Sequence, residues 1–255
     1  MPIEEFDGLT LHTQTVGAEG PPVILLHGLL IGSLSAWYFT VAPELGRDRR
    51  VLMYDLRGHG MSPIAGDQYG LRAQAADLAR VVERFAPDVP VTLVGHSAGG
   101  AIALRYTIDH PGRVARLVIV DTPLPIMATN WIEQIKRGSR ESVLKLLPGS
   151  QKDSFERGGR QGKRLLAQVA SLTSRTSLID DLLAEPDIAD ADLASLSLPV
   201  LLCYASRAGP VISATRDRLV ALIPGARLVV IEGGHFLPVE APVPLTAAIR
   251  EFIDA

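Results

Sequence analysis

The sequence predicts an α/β protein: a doubly wound, mostly parallel sheet with a helical insertion after its middle strands. Three observations carry this. Residues 23–26, 51–54, 91–94, 117–120, 200–204 and 228–231 are short runs rich in branched apolar residues, continuous rather than alternating, as strands buried on both faces of a parallel sheet are. Helix-like stretches lie between them, and strand–helix alternation implies a doubly wound sheet. The alternation then stops between residues 122 and 198.

In chain order, the acidic start "MPIEEFDGLTLHTQ" contains an early polar strand with His12. The 23–26 and 51–54 strands run into Gly-rich turns. In "LRAQAADLARVVERFA", Leu71, Ala75, Leu78, Val82 and Phe85 recur at three- and four-residue spacings, which defines an amphipathic helix. The 91–94 strand leads into the helix "GGAIALRYTIDHP", ended by Pro111. Between 122 and 197, "WIEQIKRGSRESVLKLL" and "GKRLLAQVASL" read as amphipathic helices joined by polar turns, and "EPDIADAD" as an acidic helix start or linker. One βαβ crossover needs only about 30 residues, so this stretch is expected to be a separate cap. The expected division is a core of residues 1–121 and 198–255 and a cap of residues 122–197. The helix "PLTAAIREFI" closes the chain.

Composition narrows the function. At 255 residues and 47% hydrophobic content the chain can build a sizeable core. A net charge of -3 without a dense Lys/Arg run argues against a nucleic-acid or anionic-membrane partner; a small-molecule substrate is expected. The single cysteine, Cys203, lies in an apolar run and reads as strand packing, which leaves no internal disulfide or CxxC metal site. No signal peptide or apolar run of membrane-spanning length is present, so a cytoplasmic location is the expectation. No Walker loop, H-E-x-x-H or dinucleotide fingerprint occurs, and neither a metal nor another cofactor is expected.

The sharpest motif is "VTLVGHSAGGAIAL", where Gly95-His96-Ser97-Ala98-Gly99 follows a strand and precedes a helix. In that context G-x-S-x-G is a nucleophile elbow, a turn so tight that small residues flank the serine. With it the chain resembles the α/β-hydrolase superfamily over nearly its full length. "VILLHGLLIG" is similar to that family's oxyanion-loop strand, "LMYDLRGHGMS" to its D-x-R-G-x-G-x-S segment, and "LVVIEGGHFLPVEAP" to the loop that presents the catalytic histidine, here His235.

Acyl transfer through serine needs a base and donors for the oxyanion. Of six histidines, His235 follows the last strand; His12 and His110 read as surface residues, and His27, His59 and His96 as loop packing. One oxyanion donor is the amide after the nucleophile, Ala98; the resemblance assigns the other to Leu29. His27, Leu30, Trp37 and Phe236 are candidate pocket residues.

The acid is the difficulty. The resemblance implies a carboxylate after the strand that follows the cap, and Ala208 stands there. Some members of the superfamily carry the acid just before the cap, which here is Asp121 in "LVIVDTPLP". Asp121 is the preferred acid; a Ser–His dyad, or Asp217 or Glu232 as substitutes, stay open. Asp55 and Arg57 are expected to pair or to cap their loop. The implied activity is a cofactor-free serine hydrolase acting on an ester, thioester or lactone. Lyase, cyclase or carbon–carbon hydrolase chemistry, or ligand binding with little turnover, are the alternatives.

Overall fold

The computed structural model describes residues 2–126 and 159–255. The described residues build an eight-stranded sheet: β1 (Ile3–Phe6), β2 (Leu9–Val16), β3 (Pro22–Leu26), β4 (Arg50–Tyr54), β5 (Val91–His96), β6 (Val114–Val120), β7 (Val200–Ala205) and β8 (Arg227–Ile231), in the order β1-β2-β4-β3-β5-β6-β7-β8. β1 with β2 and β2 with β4 are antiparallel; every other neighbouring pair is parallel. The chain leaves β3 toward β4 and leaves β5 toward β6. The carboxyl ends of β3 and β5 are therefore the topological switch point, where open α/β sheets place their ligands.

The continuous apolar runs follow from two buried faces. Ile24, Leu26, Leu52, Leu93, Ile119 and Leu202 point into one cluster, while Val23, Leu25, Val51, Val94, Val120 and Cys203, one residue along, point into the other. Side chains alternate across a strand, so only a strand covered on both sides is apolar throughout. α3 (Leu71–Phe85) and α4 (Ala98–Asp109) cover the first face; α1 (Ser35–Tyr38), α2 (Ala42–Leu45) and the C-terminal helix cover the second. β8 departs from the expectation. As the outermost strand it leaves Leu228 and Val230 exposed.

After residue 159 come α5 (Arg160–Ser174), α6 (Leu178–Ala184) and α7 (Asp190–Ala194), then α8 (Pro210–Leu222), α9 (Leu237–Glu240) and α10 (Pro242–Asp254). "GKRLLAQVASL" lies in α5, and Asp190 and Asp192 occupy the first turn of α7, where carboxylates favour the helix dipole. "WIEQIKRGSRESVLKLL" lies outside the described residues. Val169, Leu172, Leu178, Leu182 and Leu193 join the first core cluster, so the described part of the insertion packs onto the core rather than around a centre of its own. Among the described residues no helix is long and apolar enough to cross a membrane.

His12 is not a surface residue. β2 is an interior strand, and His12 is buried with Nδ1 2.7 Å from Asp55 Oδ2. Asp55 and Arg57 do not pair with each other: Arg57 makes a two-pronged bond to Asp77 of α3 at 2.8 and 2.7 Å. Asp55 accepts from the Leu34 and Met61 amides.

Candidate active site

The site grows from the sharp turn after β5. Ser97 has φ 54° and ψ -124°, a strained region for a residue with a side chain, and small neighbours permit it. A Cβ on Gly95 would meet the Gly99 carbonyl oxygen at 2.3 Å, and one on Gly100 the Thr122 hydroxyl at 2.0 Å. Thr122 also donates its hydroxyl to the Ser97 carbonyl at 2.9 Å. That role went unseen in the sequence, because it joins two strand ends that only the sheet brings together.

Ser97 Oγ lies 3.1 Å from His235 Nε2, and His235 Nδ1 lies 2.7 Å from Asp121 Oδ2. Asp121 directly follows β6, is wholly buried and has φ 45°. Its Oδ1 accepts the Ala205 amide from the end of β7 at 2.8 Å. The carboxylate thus stands on one strand and is steadied by the next, the one after which Ala208 replaces the expected acid. Glu232 is exposed and bonds Ser206 and Arg207; Asp217 bonds Arg216 at the surface.

His96, the residue before the serine, is another contributor the sequence did not reveal. Its Nε2 lies 2.7 Å from the His235 carbonyl oxygen, and its ring packs 4.9 Å from the His235 ring. A carbonyl only accepts, so Nε2 carries the proton. Burial, aided by His235 nearby, pushes the His96 pKa down to about 3, and burial with His27 alongside does the same to His59. The unfolded chain titrates these groups near 6.5. Between pH 6.5 and 3 it therefore binds more protons than the folded one, and stability is lost as the pH falls through that window by roughly 1 kcal/mol per pH unit for each histidine. Urea unfolding from pH 7 to pH 4 is expected to show this slope, and His59→Gln combined with His96→Gln is expected to flatten it.

The loop after β3 approaches the serine closely. A Cβ on Gly28 would lie 3.0 Å from Ser97 Cβ. The Leu29 and Ala98 amides have no acceptor among the described residues. Of the expected pocket residues, Phe236 is half-buried with its ring edge on His235. Trp37 is instead wholly buried in the second core cluster, Leu30 is buried in the first, and both ring nitrogens of His27 are engaged by backbone. α1 turns Trp37 inward against the sheet, among the residues of the second core cluster, and His27 and Leu30 are buried where the loop coils.

A mostly parallel sheet that presents a serine elbow, a histidine and a carboxylate at one carboxyl edge defines a class of proteins, the α/β hydrolases. The chain belongs to this family. Residues 21–138 match the family model described as alpha/beta hydrolase fold. A pimeloyl-[acyl-carrier protein] methyl ester esterase of Aeromonas hydrophila is 30% identical over 256 residues, covering 92% of this chain and 96% of that enzyme. A 2-hydroxy-6-oxo-2,4-heptadienoate hydrolase of Pseudomonas putida is 41% identical over 116 residues, but the match takes in 44% of this chain and only 41% of that enzyme. Among solved structures, a hydrolase from Pseudomonas aeruginosa superposes with a TM-score of 0.78 at 26% identity, covering 98% of this chain and 96% of that one.

Proposed function

We propose that the protein is a serine hydrolase that cleaves a small carboxylic ester, thioester or lactone through an acyl-enzyme. The observation that carries this reading is the unbroken line of hydrogen bonds from Ser97 Oγ through His235 to the buried Asp121 carboxylate. His235 Nε2 takes the Ser97 proton as Oγ attacks the substrate carbonyl, and its Nδ1–H donates to Asp121, which stabilises the imidazolium without itself taking the proton. The Leu29 and Ala98 amides hold the oxyanion. His235 then protonates the leaving group and activates the water that releases the acid. The full-length likeness to a methyl ester esterase supports an ester as substrate. Asp121 is the triad acid of this reading, residues 122–197 its cap.

A fluorophosphonate probe reacts only with an activated serine. Mass spectrometry is expected to find the adduct on Ser97 and none on the Ser97→Ala protein, alongside turnover of p-nitrophenyl esters by the wild type. Ligand-induced thermal stabilisation with neither label nor turnover would make the protein a binding module instead. A second reading takes its substrate from the name of the Pseudomonas putida relative, a 2-hydroxy-6-oxo-dienoate. That compound, tried in the same assay and turned over in preference to esters, would establish it.

A further inference from the structure

Leu29 sits between two consecutive peptide units, and each unit is gripped by a different buried histidine. The unit that joins Gly28 to Leu29 carries the Leu29 N–H. Its carbonyl oxygen, on Gly28, lies 2.7 Å from His27 Nδ1. The next unit ends in the Leu30 N–H, which donates to His59 Nε2 at 2.8 Å. Neither histidine has a choice of proton position. His27 Nε2 accepts the Leu56 amide at 3.0 Å, so the proton is on Nδ1. His59 Nδ1 faces the Arg57 carbonyl at 2.9 Å, so Nδ1 bears the proton and Nε2 is bare. The two rings lie 5.4 Å apart and are almost wholly buried.

The loop needs an external hold. Leu30 has φ 66°, in the left-handed region that branched side chains avoid, and Ile31 N–H folds back onto the Leu29 carbonyl at 2.9 Å. In a trans peptide the carbonyl and the N–H point in opposite directions. A donor fixed on Gly28 O therefore aims the Leu29 N–H the other way. The Leu30 amide, the alternative donor on this turn, is already used.

We infer that His27 and His59 are positioning residues that clamp the peptides on either side of Leu29 and so aim its N–H as an oxyanion donor. The inference rests on the acyl-transfer reading above. Burial holds both imidazoles neutral: the His27 pKa is lowered mainly by desolvation, and that of His59 falls to about 3. The clamp thus keeps its hydrogen-bond pattern at neutral pH.

The amide of an asparagine overlays the Nδ1 position of histidine and that of a glutamine the Nε2 position, so the two exchanges read out which ring atom matters. The substitutions His27→Asn and His59→Gln keep the polar atom in register; His27→Gln and His59→Asn put it out of register. With p-nitrophenyl esters, the out-of-register variants are expected to lose about 10- to 100-fold in kcat with KM within about threefold, short of the 10² to 10³ seen when an oxyanion donor is removed outright. The in-register variants are expected to stay within about fivefold of wild type, an estimate for a donor left nearly in place. The inhibition constant of an aryl trifluoromethyl ketone, whose hemiketal oxygen occupies the same hole, is expected to rise in parallel with the loss of kcat, while the pH profile keeps its shape. In-register variants as poor as their partners, a loss confined to KM, or an unchanged ketone constant in a folded variant with low kcat would overturn the clamp and leave the hydrolase reading standing. A wild type that neither turns over esters nor binds the ketone overturns both.

Discussion

Asp121→Asn is expected to lower kcat for ester hydrolysis by about 10⁴, the scale seen when a triad aspartate is exchanged for asparagine, or about 5 kcal/mol of transition-state stabilisation. The reason lies in which oxygen does what. Oδ1 accepts the Ala205 amide and Oδ2 faces His235 Nδ1. Asparagine keeps the first bond only by turning its NH₂ group toward Nδ1, which favours the imidazole tautomer with its proton on Nε2, the atom that must be free to accept from Ser97. The imidazolium also loses its counter-charge. The fold is expected to survive, because Asn tolerates the positive φ of position 121 as Asp does. Steady-state kinetics together with a thermal melt check this. A folded Asn variant within about tenfold of wild type would leave Ser97 and His235 as a dyad, since triad-acid loss costs about 10⁴.

The line from serine to acid was legible because each member answers a local rule. The elbow is written in small residues around Ser97 between a strand and a helix, His235 in its place after the last strand, and Asp121 in being the acid at a strand end when position 208 offers none. The core strands were legible for a similar reason: a strand buried on both faces needs apolar residues throughout, and a composition rule of that kind survives without knowledge of neighbours. What the sequence concealed depends on partners distant along the chain. His12 looks like a surface residue until β2 is known to lie inside the sheet, where Asp55, 43 residues away, receives its ring. Trp37 looks like a pocket residue because aromatic clusters near a catalytic loop serve either purpose; which side of the sheet α1 covers decides it. His27 and His59 have ordinary motif positions, and their role is carried by ring hydrogen bonds, half of them to backbone partners 29 residues away.

Gly99→Ala is expected to be among the most damaging single methyl groups near the site. Gly99 is the second residue of α4, and a Cβ there would stand 2.6 Å from the carbonyl oxygens of both Leu26 and His27 and 2.8 Å from the Leu26 carbonyl carbon. A flexible side chain would swing away from such a contact; these are backbone atoms at the end of the central strand β3. Relief requires α4 and the β3 end to part, which costs about 3 kcal/mol or more, at the upper end for overpacking a rigid site, and lowers Tm by about 10 °C in a domain of this size. The same displacement carries Gly28 and Leu29 away from Ser97, so the protein that remains folded at 20 °C is expected to be slow as well as fragile. Gly66→Ala is the control. A Cβ there meets nothing within 4 Å, and the expected change is within about 0.5 kcal/mol, as for an open surface position. Melts and kcat measured side by side separate two consequences of one contact. If Gly99→Ala melts with the wild type, α4 and β3 can move apart freely, and the close approach of the oxyanion loop to the elbow is not enforced by packing at this point. If it melts early and its folded fraction is slow, the contact that closes the core also sets the distance between nucleophile and oxyanion donor.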